Sequence, residues 1–305
     1  MFGISRLSQL DSRVVLTVLV SIGSAAYASA QGHYTFHSFD APFGGNSEAW
    51  GINAQGLISG QYTDADGNSQ IFTDLFGHFH SPRLLGSVAM YTGAPNNLGQ
   101  IPVSYDLPNG TSHSAVLRDG KFRLFEDIPG SSTTLLAAIT DNGLLGGTAA
   151  DANFATGVSF IARQHLGVRE ITYIAYPGAP FTYLTGLNRF GVAVGSYSLS
   201  NNTPPFRSYV YDHGTYKTIS FPGSASDRPF SVNDRGEVSG FYRLVPFGPR
   251  HGFIFSTGKW RTLDFPGASD TIITFVNAEE GTVTGIYSND GFLTEHAFVA
   301  IPKED

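Results

Sequence analysis

The chain is expected to fold as an all-β six-bladed β-propeller of four-stranded antiparallel blades, with an N-terminal strand closing the last blade. Three observations predict this. First, a cassette recurs six times after residue 32, as Gly56/Gly60/Tyr62, Gly99/Val103/Tyr105, Gly143/Gly147/Ala149, Gly191/Gly195/Tyr197, Gly236/Gly240/Tyr242 and Gly281/Gly285/Tyr287. The first glycines of successive copies are 43, 44, 48, 45 and 45 residues apart. Second, the apolar residues inside each copy alternate with a period of two; a unit near 45 residues built from such segments is the mark of a propeller. Third, the two ends of the repeat array are out of phase in complementary ways.

Each copy reads as four short strands. The first runs into an Asn-x-x-Gly turn, as at Asn53–Gly56, Asn96–Gly99, Asn188–Gly191 and Asn233–Gly236, stretched to Asn277–Gly281 in the sixth copy and replaced by Thr140-Asp141-Asn142-Gly143 in the third. Asn starts turns through its side-chain hydrogen bond, and the closing Gly can take positive φ. The second strand sets Ile58, Gly60 and Tyr62 on one face and Ser59 and Gln61 on the other, and Val238/Gly240/Tyr242 and Val283/Gly285/Tyr287 repeat the pattern. Glycine weakens a strand interior, so its reuse calls for a close neighbour, expected to be the adjacent blade near the axis. The third strand opens on a polar or small residue, as in Gln70-Ile71-Phe72, His113-Ser114-Ala115, Arg207-Ser208-Tyr209, His251-Gly252-Phe253 and His296-Ala297-Phe298. A glycine turn (Gly77, Gly120, Gly214, Gly258) leads to the fourth strand, which ends in Pro-Gly-small at Pro129, Pro177, Pro222 and Pro266. Proline stops the ladder there, and the chain steps to the next blade. No Pro-Gly element leads into the second copy, which carries Val103 in place of glycine and has Pro102 in an interior strand, so a bulge or irregular blade is expected.

Closure follows from the phase of the ends. Tyr34–Asp40 matches a fourth strand and His296–Ile301 a third, so the last blade lacks an outer strand that the N-terminus can supply.

Residues 1–30 read as a secretion signal: Arg6 and Arg13, an apolar run from Val14 to Ala26, and a small-x-small site at Ala28-Ser29-Ala30. The run of about 13 residues is shorter than the ~20 a membrane-spanning helix needs. Residues 31–305 are then one propeller domain, extracellular or periplasmic. Losing two arginines and one aspartate moves the formal charge from −7 to −8, and no basic run reverses it, so nucleic acid is not an expected partner. The chain has no cysteine, so burial and ring closure must stabilise it. Charged residues are 14%, and 36 glycines suit an all-β chain with many tight turns.

The cassette resembles the extracellular HAF-repeat family of bacterial secreted proteins. The resemblance rests on Gly51-Ile52-Asn53-Ala54-Gln55-Gly56-Leu57-Ile58-Ser59-Gly60-Gln61-Tyr62 and on His296-Ala297-Phe298, and covers about residues 33–301; the second and third copies depart from it. It implies an exported repeat protein and no catalytic residues.

The candidates for chemistry are few. His113, His251 and His296 hold equivalent positions in different blades, too far apart to converge on one ion, and read as polar caps of strands. Asp64-Ala65-Asp66-Gly67-Asn68 resembles the start of a calcium loop, but position 12 is Leu75, so a hairpin turn is the expectation. No nucleophile elbow, phosphate loop or zinc-protease motif occurs, and no cofactor or metal is expected. Carboxylate pairs occur at Asp40/Glu48, Glu126/Asp127 and Glu279/Glu280. The loops before first strands and after second strands share one face. The most elaborated are Arg243–Arg250 and Ser198–Phe206, and Asp227, Arg228, Asp270 and Trp50 join Arg243 and Arg250 as candidate ligand-binding residues around one mouth of the channel. Arginine forks suit carboxylates and aromatic rings suit sugars or peptides; solvated loop charges are the plainer alternative. The leading functional expectation is a monomeric, non-catalytic binding or interaction module at the cell envelope, its partner a glycan, peptide or protein. The alternatives are a hydrolase or lyase acting on an extracellular glycan or other polymer, discriminated by perturbed carboxylates on the Arg243 face, and a purely structural surface protein.

Overall fold

The computed structural model describes residues 26–28, 33–165, 168–200, 202 and 206–303. The expected signal sequence lies mostly outside these residues. No α-helix occurs among them, and none is long and apolar enough to cross a membrane. Two strands come first, β1 (Ala26–Ala28) and β2 (Tyr34–Phe39). The rest follow in antiparallel meanders. These are β3 (Ser47–Ile52), β4 (Leu57–Thr63), β5 (Ser69–Leu75) and β6 (His78–His80), then β7 (Ala89–Thr92), β8 (Ile101–Asp106), β9 (Ser112–Arg118) and β10 (Lys121–Phe125). Next come β11 (Thr133–Ile139), β12 (Leu144–Ala150), β13 (Gly157–His165) and β14 (Val168–Ile174), then β15 (Phe181–Leu187), β16 (Ala193–Ser198), β17 (Arg207–Asp212) and β18 (Thr215–Ile219). The last are β19 (Ser226–Val232), β20 (Val238–Arg243), β21 (His251–Ser256) and β22 (Lys259–Thr262), and finally β23 (Asp270–Val276), β24 (Val283–Ser288) and β25 (His296–Pro302). β2 pairs with β25 from Tyr34↔Pro302 to Phe39↔Ala297, and β1 lies outside β2. The meanders are not wholly separate sheets. Single parallel pairings, Thr133↔Ser112 and Gly157↔Phe181, join the second, third and fourth into one 12-stranded sheet.

The cassette explains the packing. Its glycine lies opposite a β-bulge in the first strand of its own meander: Ala49↔Gly60, Leu136↔Gly147, Leu184↔Gly195, Pro229↔Gly240 and Ile273↔Gly285 each sit where the register shifts. A Cβ on Gly60 would collide with the Glu48 carbonyl and the Phe72 ring, and one on Gly285 with the Ile272 carbonyl and Phe298. The expectation that a neighbouring blade demands these glycines is therefore corrected: the meander's own bulged strand and its third-strand aromatic do so. Close approach of the next meander applies instead to inner-strand glycines, with Gly51 against Ala94 and Gly186 against Ser231. The second copy also reverses the expectation. It has Val103 opposite Thr92 in unbroken register, so the bulges are found in the five glycine copies and not there; Pro102 is accommodated within β8, its carbonyl accepting from Gly93 N at 3.1 Å. A bulge re-aims one residue, and the five so placed, Trp50, Ala137, Thr185, Phe230 and Thr274, all line the axial cavity.

Neighbouring meanders are joined by three devices. The cassette tyrosine stacks on the aromatic residue preceding the Pro-Gly step, with Tyr176–Tyr197, Phe221–Tyr242 and Phe265–Tyr287 centroids 3.6, 3.6 and 3.8 Å apart and nearly parallel. The step itself is a turn with positive-φ glycine, as at Gly223 (φ 78°), closed by Ser224 N to Phe221 O at 3.0 Å. The turn asparagine uses its Oδ1 for its own loop and hands its Nδ2 to the next meander. Asn53 donates to Asn96 O, Asn96 to Thr140 O, Asn188 to Asn233 O, Asn233 to Val276 O and Asn277 to Ile52 O, the last returning to the first meander. At the third position Thr140 lacks that amide, and Asn142 Nδ2 reaches Arg189 O at 2.9 Å instead. Thr274 Oγ1 adds a 2.7 Å bond to Ala49 O across the same junction. These links set the meanders around a common axis, a β-propeller architecture.

The three motif histidines tie the start of a third strand to the end of a fourth. His113 meets Asp127 at 2.7 Å, His251 meets Asp264 at 2.8 Å and His296 meets Asp40 at 3.1 Å, with the cassette tyrosines Tyr105, Tyr242 and Tyr287 against the imidazoles. Asp64 serves a hairpin: its Oδ1 accepts from Asp66 N (3.0 Å) and Asn68 N (2.9 Å). Asp151 and Asp290 do the same in their own meanders, and hydrogen bonds to the charged form hold both carboxyls down at about 2. A carboxyl depressed when folded adds stability above its unfolded pKa and loses it as pH falls through the folded value. Asp290→Asn should therefore lower the melting temperature at pH 6 and lower it by less at pH 3, inside the window between the folded and unfolded values, a comparison that paired melts provide.

Candidate functional site

One face of the molecule carries the starts of the first strands and the ends of the second strands; the asparagine turns occupy the other. On the first face, around β19, β20 and β23, three arginines come together. Arg228 lies on β19 and Arg243 ends β20; the register pairs Ser226↔Arg243 and Arg228↔Phe241, so alternation sets all four on one side of the sheet. Arg250 leads into β21, and its backbone N–H donates to Asp270 Oδ1 at 2.9 Å. Aromatic rings flank each guanidinium: Arg228 is 5.1 Å from the Phe206 centroid, Arg243 is 5.6 Å from Phe241, and Arg250 is 5.5 Å from Phe241 and 3.7 Å from Phe292. Among the described residues, none of the three has a carboxylate oxygen within 4.0 Å, and each keeps a buried Nε–H without an acceptor. Burial lowers the pKa of Arg228 and of Arg250, and the neighbouring Arg243 charge lowers both further; Tyr183 opposes this at Arg228, and Asp270 and Glu295 oppose it at Arg250. Guanidinium stays protonated regardless, so the fold gathers positive charge here with no described carboxylate in direct contact with it.

Beside the arginines sit two carboxyl groups that the sequence did not associate. Glu48 Oε2 accepts from Trp50 Nε1 at 2.7 Å and Gln61 Nε2 at 2.9 Å, and Gln61 is itself fixed by Thr92 N at 2.9 Å. Glu295, just before β25, is held against the start of β3 by Ser47 N to its carbonyl at 2.9 Å. Its carboxyl is pushed up to about 8, first by burial and then by the charge of Glu48 and a hydrogen bond to it, with Arg250 pulling the other way. At neutral pH Glu295 is thus a neutral acid donating to Glu48. A carboxyl raised on folding contributes stability that is fully present below its unfolded value near 4.5 and lost as pH rises toward 8. Melts of wild type and Glu295→Gln at pH 5 and pH 9 should show the variant losing less on alkalinisation, by ~3 °C or more; identical losses would refute the raised acid.

The candidate residues separate into two groups. Arg228, Arg243 and Arg250 converge. Trp50, the bulge residue of β3, meets Phe230 edge to face at 5.4 Å and joins the cluster's apolar floor with Phe241, Ile272 and Ile286. Asp270 is buried and serves the base of the Arg243–Arg250 loop, accepting from Arg250 N and from Ser269 Oγ at 3.0 Å. Asp227 is not brought to the mouth. It is 2% exposed and bound by Ser208, Ser220 (2.7 Å) and Ser224 (2.9 Å), at the position where Thr134, Thr182 and Thr271 staple the preceding step. Asp40 pairs with His296 and not with Glu48. Part of the Ser198–Phe206 loop lies outside the described residues; Phe206 is the portion beneath Arg228. The axial cavity, 620 Å³, opens beside Arg228, Trp50 and Phe230. Among the described residues no group of three His, Asp or Glu side chains could hold a metal.

No protein-family model matches the chain, and no curated protein matches it by sequence. Solved structures do match its fold. The β-propeller domain of the Trilobed protease from Pyrococcus furiosus aligns with a TM-score of 0.53 at 11% identity over 92% of this chain and 91% of that one. A gluconolactonase from Xanthomonas campestris aligns with a TM-score of 0.53 at 11% identity over 92% and 94%. The fucose-specific lectin from Aleuria aurantia reaches 0.47 at 11% identity over 85% and 96%. At such identities the first two bear on the fold alone, and the third carries no argument.

Proposed function

We propose that the chain is an exported, monomeric six-bladed propeller of the HAF-repeat kind, its last blade completed by β2, and that it works as a non-catalytic binding module at the cell envelope. Its partner is an extracellular or periplasmic glycan, peptide or protein that presents an anionic group to Arg228, Arg243 and Arg250. The observation that carries this reading is the set of three mutually repelling arginines that have, among the described residues, buried Nε–H groups without an acceptor and no carboxylate oxygen within 4.0 Å. Leaving a buried donor unpaired costs about 1–3 kcal/mol, and charge-assisted hydrogen bonds to an incoming anion remove that cost. Arrays of acidic and neutral glycans and peptides should retain acidic members only. Arg243→Gln and Arg250→Gln should each weaken capture by roughly 10-fold or more, on the scale of one charged hydrogen bond. Capture that survives both substitutions, or that ignores salt, sinks the reading.

The Glu48–Glu295 pair favours a second reading, a hydrolase or lyase acting on an extracellular glycan or other polymer, since a raised carboxyl beside arginines can give or take a proton. Two carboxyls that share a proton are closer than the ~5–9.5 Å separation of the usual glycosidase pairs, which weighs against ordinary glycoside hydrolysis. Cleavage of an acidic polysaccharide that disappears in Glu295→Gln would establish catalysis.

A further inference from the structure

The mouth is oily where an anion site alone would be expected to be polar. Four side chains flanking the arginines face solvent: Leu244, Val245 and Phe247 on the loop joining Arg243 to Arg250, 54%, 56% and 86% exposed, and Leu293, 80% exposed, adjoining the Phe292 ring that stacks on Arg250. Phe247 is also held at φ 59°, a conformation bulky residues avoid, at the tip of a turn closed by Gly248 N to Val245 O at 3.1 Å. Single exposed apolar residues are ordinary; three on the loop between Arg243 and Arg250 and a fourth next to Phe292 put apolar surface around one charge cluster, and such surface marks ligand sites.

We propose, building on the anion reading above, that the ligand class is an anionic amphiphile: one compact carboxylate or comparable oxyanion head on Arg228, Arg243 and Arg250, with a hydrocarbon chain lying across Leu244, Val245, Phe247 and Leu293. The arginines and the apolar tips answer opposite needs of the same molecule. The guanidinium forks neutralise the head, and their aromatic contacts with Phe206, Phe241 and Phe292 keep them in place. The exposed tips gain by covering a chain, because each apolar group removed from water is favourable. A hydrophilic sugar acid would leave those tips wet, and a bare inorganic anion would leave them unused.

Titration calorimetry with straight-chain carboxylates from butanoate to dodecanoate, each below its micellar concentration, tests this. A fully buried methylene is worth ~4-fold in affinity, so a chain half covered on an open surface should tighten binding by roughly 2-fold per added methylene. Phe247→Ser combined with Leu293→Ser should flatten that slope while leaving butanoate binding intact; both side chains are exposed, so folding is preserved. Arg250→Gln should weaken every chain length equally, and decanol should bind far more weakly than decanoate. A flat chain-length dependence with arginine-dependent butanoate binding overturns the amphiphile and leaves the anion site standing. No binding of any carboxylate overturns both. Sedimentation with phosphatidylglycerol vesicles, without binding of dissolved carboxylates, overturns the single-molecule ligand in favour of a membrane surface.

Discussion

Removing residues 33–41 should lower the melting temperature by more than 10 °C and promote aggregation. β2 supplies the outer strand of the sheet that also holds β23, β24 and β25, with six register pairs to β25. Its Phe36 is fully buried, packed 5.6 Å from Phe265 and 5.7 Å from Phe298. Phe265 is also the stacking partner of Tyr287, so the loss reaches the step between two meanders. Phe36→Ala alone should cost about 3–5 kcal/mol, or ~6 °C and upward on the ~2 °C per kcal/mol scale of a chain this size. The full deletion adds the ladder and leaves β25 as an open edge, ready to pair with another chain. Thr35→Ala, on the other side of the same strand, should stay within about 1 °C. Calorimetric melts of the three variants decide the matter; a deletion that melts like wild type would show that this strand does not seal the structure.

The strands, their turns and their grouping were legible because the chemistry is local: period-two alternation, Asn-x-x-Gly and Pro-Gly each act within a few residues. The reasons behind the cassette were less so. The asparagine reads as a turn starter, yet its Nδ2 reaches a carbonyl 43 to 45 residues on, which only the repeat distance hints at. The tyrosine reads as a core residue, yet it is the stacking face for the preceding meander's last aromatic. At the mouth, the three arginines could be gathered from topology, since loop connectivity alone sets the face. Asp227 could not be sorted the same way: it shares that end of β19, but strand alternation turns it to the opposite side, into a serine cage. Glu48 and Glu295 are 247 positions apart in a chain whose ends meet. The phase argument that joins β2 to β25 does imply that residue 295 arrives beside residue 47, so the acid pair was within reach of the closure reasoning, though not of any motif.

Gly195→Val should destabilise the fold by about 3 kcal/mol or more, a large fraction of the net stability of a folded domain. Gly195 pairs with Leu184 where β15 bulges, and a Cβ there would collide with the Tyr183 carbonyl and press on the Tyr209 ring at 2.9 Å. The carbonyl belongs to a bulged backbone that cannot retreat without moving Thr185, whose Oγ1 is bonded to Pro229 O at 2.9 Å in the next meander. Tyr209 is fully buried and equally fixed. The strain would therefore spread to the axis, where Tyr183 lies near Arg228, and should weaken anion binding along with stability. The second meander is the internal control: Val103 already occupies this position opposite an unbulged strand, so Val103→Ile, which adds one methylene at a buried site, should cost less, about 1–2 kcal/mol. Denaturant titrations of Gly195→Val and Val103→Ile measure the contrast directly. Equal, small losses would mean that the bulge does not dictate the glycine, and the physical account of the six-fold cassette would have to be replaced.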